Sequence, residues 1–237
     1  MRTRSLALLF ILTLLPSTAV SDTLPRLTEI VRVNSDATAR VEIEASLPKD
    51  FSGPVQIPVQ FGEPAALAAT LDASVRPQGA GNGEHVTVQP AWDAPHHHIV
   101  VHIPSPVADG AVLHVVFTVP LSGSKGQDVA GPRRFSVINT TERAFTDFLL
   151  QVVLPAGYAF ATVEGINASS GATPRVTSMD GHHAVAVQTT LREYEGSVTL
   201  SATIAHERHT AVVPLIALAL SVGYLIRFRD LVTRRTP

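Results

Sequence analysis

Histidine is the residue type whose number and spacing in this chain invite chemistry. There are ten. His96, His97 and His98 run together, His102 follows, and His114 lies one apolar run further on. Ile99, Val101 and Ile103 alternate along the first of these runs, so His96, His98 and His102 share the opposite face of a strand. In the next run Leu113, Val115, Phe117 and Val119 take one face and leave His114 on the other. A hairpin that sets Val101 against Val115 puts His102 directly opposite His114, with Cβ atoms roughly 5 Å apart. Two imidazoles at that separation can share zinc or copper. His98 lies roughly 13 Å along the strand from His102 and cannot join them. His96 and His98 form a second, weaker pair. The candidate metal ligands are therefore His102, His114, His96 and His98. The competing readings are a solvated strand face and a pH-sensing surface.

Other constellations are missing. There is no G-x-S-x-G elbow, P-loop, G-x-G-x-x-G, H-E-x-x-H or EF-hand loop. Cysteine is absent, so no thiol serves as nucleophile or ligand. A hydrolase on this chain would need a site of unfamiliar form. Asn139-Thr140-Thr141 and Asn167-Ala168-Ser169 are glycosylation sequons, relevant only in a eukaryotic secretory path.

The elements that must position these residues have a period of two. Val41, Ile43, Ala45 and Leu47 alternate with Arg40, Glu42, Glu44 and Ser46. Val55, Ile57, Val59 and Phe61 alternate with Gln56, Pro58 and Gln60, and Pro58 predicts an edge strand because it cannot donate to a ladder. Val198, Leu200, Ala202 and Ile204 alternate with Ser197, Thr199, Ser201 and Thr203. Asn34-Ser35-Asp36 predicts a hairpin between Ile30–Val33 and Ala39–Leu47. Helical periodicity is absent before residue 210. The fold class is all-β, as one or two immunoglobulin-like β-sandwich domains. Ser122 to Pro132 (SGSKGQDVAGP) is the best internal boundary. It divides a sandwich at 22–121 from a second at 133–205, with 122–132 as linker. One larger sandwich with a long loop is the alternative.

Two short stretches carry family resemblances. Phe135-Ser-Val-Ile-Asn-Thr-Thr, then Phe148–Leu154 and Pro155-Ala-Gly-Tyr158, resembles exported bacterial immunoglobulin-like modules, which implies the fold and no function. His85-Val-Thr-Val-Gln-Pro90 resembles the opening of a periplasmic copper-handling β-sandwich family. In that family the histidine is the mature N-terminus and its amine binds copper. Here His85 is internal, so the amine ligand is missing.

Both ends are hydrophobic. Arg2 and Arg4 precede the apolar run Leu6 to Leu15, Pro16 breaks it, and Ala19-Val20-Ser21 supplies small residues for cleavage before Asp22. Residues 1–21 thus read as a signal peptide. Ala211 to Ile226 is uncharged and, as a helix, about 24 Å long. With Thr210 it forms a transmembrane helix at 210–226. The tail 227–237 carries Arg227, Arg229, Arg234 and Arg235, which the positive-inside rule places in the cytoplasm. Between Asp22 and His209 there are 12 Lys/Arg against 19 Asp/Glu, a net −7. An acidic ectodomain argues against nucleic-acid partners. Only Ala205 to His209 separate the last strand from the span, so the ectodomain should sit close to the headgroups, with His206 and His209 in an interfacial polar cap.

The expectation is a single-pass envelope protein, with a periplasmic or extracellular ectodomain. It is non-enzymatic and binds other envelope or membrane proteins as an accessory subunit. A metal-binding histidine face and an unrecognised hydrolase are the alternatives.

Overall fold

A computed structural model describes residues 24–59, 70–77, 85–93, 97–107, 109–121, 128–168, 172–194, 196–207, 220–224 and 228. The expected signal peptide, His96, Phe61 and most of the expected span and tail lie outside the described residues. Among the described residues no helix is long and apolar enough to cross a membrane. Residues 220–224 are helical, with Leu220, Val222 and Tyr224 exposed.

The first half contains β1 (Leu24–Val33), β2 (Thr38–Leu47), β3 (Phe51–Pro58), β4 (Asp72–Pro77), β5 (Val86–Val88), β6 (Pro90–Asp93), β7 (His98–Val107) and β8 (Ala111–Pro120). The second contains β9 (Gly131–Ile138), β10 (Phe145–Val153), β11 (Tyr158–Ala168), β12 (Arg175–Met179), β13 (His182–Leu191) and β14 (Ser197–His206). One eight-stranded sheet runs β12-β13-β10-β1-β2-β8-β4-β5, and two three-stranded sheets run β3-β7-β6 and β11-β14-β9. Each half thus supplies its own three-stranded sheet. The parallel pair of β1 and β10 joins the halves through the eight-stranded one, with Glu29 opposite Leu150. Arg143 crosses the same junction and stacks over the Phe51 ring at 4.9 Å. β9 opens at Gly131, inside the expected 122–132 connector.

Alternation decides which face each strand buries. Val41, Ile43, Ala45 and Leu47 are buried on β2 while Arg40 and Glu44 face water. Val198, Leu200, Ala202 and Ile204 are buried on β14. The hairpin of β1 and β2 forms as its turn residues predict. Asn34 N–H donates to the Thr38 carbonyl at 2.8 Å, the Asp36 carboxylate accepts from Thr38 N–H at 3.1 Å, and Ala37 adopts φ 60. β3, which carries Pro58, is an edge strand.

One pairing differs from expectation. β7 and β8 do not form a hairpin. β7 pairs with β3 and β6, and β8 pairs with β2 and β4. The chain passes between sheets at Asp109-Gly110, where Gly110 has φ 84. Matched apolar faces allow either lateral pairing or packing face to face across a core. Here both strands find lateral partners elsewhere, so their apolar faces meet from opposite sheets.

Candidate functional site

That crossover separates the two histidines expected to share a metal. His102 is exposed on β7, opposite Pro54 of β3. His114 lies on the outer face of the eight-stranded sheet, opposite Glu44 on one side and Ser74 on the other. They stand on different sheets and form no common site. His98 is buried, with its Nε2 3.2 Å from the Asp93 carboxylate of β6, and does not share a solvated face with His102. His97 packs edge-on against Trp92, ring centroids 6.2 Å apart. Among the described residues no three His, Asp or Glu side chains are placed to hold a metal.

His114 belongs instead to a polar cleft of about 230 Å³ lined by Glu44, Ser74, Arg76, His85 and His114. Three adjacent strands create it. The register aligns Glu44 of β2, His114 of β8 and Ser74 of β4 in one cross-strand row, and even-numbered residues of β4 face outward. His85 precedes β5 with the same parity as the outward Thr87, which pairs with Ser74. The row has the residue types of a serine hydrolase. Its backbone is taken up by ladders on both sides of β4, which leaves no pair of free N–H groups at Ser74 to receive an oxyanion. The cleft can hold a charged or polar side chain.

The other face of the same strands lines an apolar slot of about 380 Å³. Val75, Val86 and Val88 form one wall, and Ile103 and Val107 of β7 form the other, with Asp109 also in the lining. The slot exists because β6 pairs only with His98 to Val101 of β7, so the rest of β7 is uncovered on that side. Between slot and cleft runs β5, the terminal strand of the eight-stranded sheet, with Val86 59% exposed.

This edge lies at one end of the molecule. β4 ends at Pro77, which pairs with Ala111 at the start of β8, itself opposite Leu47 at the end of β2. The chain leaves β14 at the other end, where His206 pairs with Tyr158 and where the β1–β2 turn also lies. The exit end is polar. The His206 ring lies 4.6 Å from that of Tyr158 and 3.4 Å from the Asp128 carboxylate, and His183 is 3.6 Å from Glu207. Ala130 N–H donates to Asp128 and His206 stands beside it, so that carboxyl is held below its ordinary range. Ring burial and the Asp128 charge raise the Tyr158 hydroxyl. His206, of the two histidines expected at a membrane interface, makes these contacts; His209 lies outside the described residues.

Ser74, Arg76, Glu44 and His85 were not legible as a group. Their union needs the pairing of β4 with β8, which no local spacing encodes. The available signal was parity, since each sits outward on its own strand.

No protein-family model matches the sequence, and no curated protein matches it. Solved structures match it at low identity and with TM-scores below 0.5. A Parabacteroides distasonis protein proposed to be a protease is 14% identical, with TM-score 0.42, over 76% of this chain and 40% of that one. An M1 zinc metallopeptidase from Deinococcus radiodurans bound to a Tyr-Ser-Ala substrate is 10% identical, with TM-score 0.41, over 75% and 42%. A Legionella pneumophila protein proposed to bind nutrients is 9% identical, with TM-score 0.44, over 76% and 66%. The chain therefore spans about two fifths of the length of the first two. The chain's own strands form an all-β architecture of several sheets, consistent with a β-sandwich.

Proposed function

We propose that the protein is a non-enzymatic envelope protein that binds another protein through the β5 end of its β-sandwich ectodomain. In this reading residues 1–21 direct export, 210–226 anchor the chain in the membrane, and the arginine tail lies in the cytoplasm. The protein acts as an accessory subunit of a membrane complex. The observation that carries the reading is the position of the apolar slot. It opens at the end opposite the exit of β14, so a chain anchored through its C-terminus presents the slot away from the lipid. An apolar concavity beside an open strand edge is a common form of peptide-recognition surface. The exposed Leu220, Val222 and Tyr224 suit a helix that meets lipid or another helix.

The test is affinity purification of the full chain from mild detergent, with mass spectrometry of what co-elutes. Val86→Arg places a charge at the slot on an exposed position. Val176→Arg, at a still more exposed position on the far edge of the same sheet, is the control. The expected result is a stoichiometric membrane partner retained by Val176→Arg and reduced at least about tenfold by Val86→Arg, a loss of ~1.4 kcal/mol or more. An unchanged partner in both variants, or none in the parent, overturns the reading.

A further inference from the structure

We infer that β5 is a docking edge for an added strand whose side chains alternate apolar and acidic. The inference rests on the protein-binding reading and specifies how the partner is held. Among the described residues, six strands form the ends of the three sheets: β12, β5, β11, β9, β3 and β6. Exposed edges are normally blunted by proline, charge or a bulge. β9 carries Pro132, Arg133 and Arg134, and β12 carries Arg175. β6 carries Pro90 and Asp93. β3 carries Pro54, Pro58 and a register shift, and β11 is shifted twice against β14. β5 reads Val86-Thr87-Val88, carries no proline, charge or bulge of its own, and is limited as an edge by its three-residue length. Its side away from β4 pairs with no described strand.

What lies above and below this edge sets the partner's chemistry. A strand added beside β5 alternates its side chains between the two faces of the sheet. On the inner face they meet the slot of Val75, Val86, Val88, Ile103 and Val107, which accepts apolar groups. On the outer face they meet His85, next to β5, and Arg76, one strand further in. Strands lie about 4.8 Å apart, so Arg76 is about 10 Å from the added backbone, within reach of its own side chain and an acidic one. The Glu44 backbone on β2 is about 19 Å away by the same spacing, although its side chain lines the same cleft as Arg76 and His85. Asp72, the other outward acid of β4, sits at the opposite end of the strand from Arg76. The partner is therefore an extended segment with an acidic residue between two apolar ones. Because β5 has only three residues, the ladder adds few hydrogen bonds, and the two concavities supply most of the selectivity.

The probes are blocked fluorescent peptides of alternating valine and glutamate, of alternating valine and lysine, and the Val/Glu peptide N-methylated at alternate amides. Each is titrated against the full chain in mild detergent by anisotropy. The expected result is binding of the Val/Glu peptide at least about tenfold tighter than Val/Lys. N-methylation and Val86→Arg should each abolish binding, and Arg76→Glu should invert the charge preference. Equal binding of the two charge types, or binding indifferent to N-methylation, overturns the inference. A partner captured through Val86 by a chain that ignores the Val/Glu peptide overturns strand addition and leaves protein binding standing. Peptide binding without any captured partner supports strand addition and overturns the accessory-subunit reading.

Discussion

Glu29→Met raises the stability of the protein, and the gain grows with pH, from less than about 1 kcal/mol from ionisation near pH 5 to about 5 kcal/mol at pH 9. Glu29 sits in β1 with its side chain in the core, fully buried, and neither carboxyl oxygen meets a hydrogen-bond partner among the described residues. Ile43 and Leu150 stand opposite it on the neighbouring strands. Burial alone pushes its pKa from 4.5 up to about 8. Below the lower value both folded and unfolded chains carry the proton, and ionisation costs nothing. Between the two values the folded chain keeps a proton that the unfolded chain has lost, so stability falls as pH rises. Above about 8 both are ionised, and the folded chain bears the whole cost of a buried charge. Methionine has a similar length and no charge, and it packs between Leu27 and Val31 on the same face. Urea unfolding of the full chain, followed by Trp92 fluorescence at several pH values for parent and variant, measures the difference directly. A difference that is flat from pH 5 to 9 shows that the carboxyl is solvated or paired, and refutes the account.

Asn139→Ala costs about 3–4 kcal/mol, although asparagine in a connection between strands is ordinarily replaceable. Asn139 is fully buried at the end of β9. Its side-chain amide donates to the carbonyls of Arg143 at 2.7 Å and Arg192 at 2.8 Å. Its carbonyl oxygen accepts from Thr141 N–H at 3.1 Å and Thr141 Oγ1 at 2.7 Å. One side chain thus ties the exit of β9, the entry to β10 and the end of β13. Alanine loses all four bonds, at about 1 kcal/mol each before relaxation, and leaves the Thr141 N–H unmatched, while the Arg192 carbonyl keeps the Gly196 N–H and the Arg143 carbonyl keeps the Thr141 hydroxyl. Asn139→Asp keeps the shape but points a carboxylate at two carbonyl oxygens. It should be at least as damaging at pH 7 and partly recover on acidification. A urea midpoint shift worth less than about 1 kcal/mol in Asn139→Ala contradicts this assignment. The same bonds exclude Asn139 as a glycan acceptor in the folded chain, because a glycan would occupy the nitrogen that holds Arg143 and Arg192. The sequon marks a structural asparagine.

Glu29 and Asn139 show where local reading stops. Thr28-Glu29-Ile30 gives no hint that the glutamate faces inward, since a carboxylate on an alternating strand ordinarily marks the water side. Its burial follows from register with β2 and β10, and β10 is more than a hundred residues away in the chain. Asn139 was visible as a sequon because three neighbouring residues define one. Its structural role depends on Arg192, across the second half of the chain.

The sequence by itself determined the class of the fold, because a period of two over half-buried strands admits only sheets with one face in a core. It determined the β1–β2 hairpin, whose turn chemistry is local, and the edge position of β3, since proline cannot serve two ladders. Only the tertiary structure decided which strands are neighbours. Parity matched β7 to β8 as well as it matched either to its true partners, so His102 and His114 could be placed on faces but not on sheets. The parallel union of β1 with β10, the slot and the unprotected edge at β5 were decided there too. Each depends on which lateral contacts win when many pairings bury equal apolar area, and that competition is settled by the whole chain.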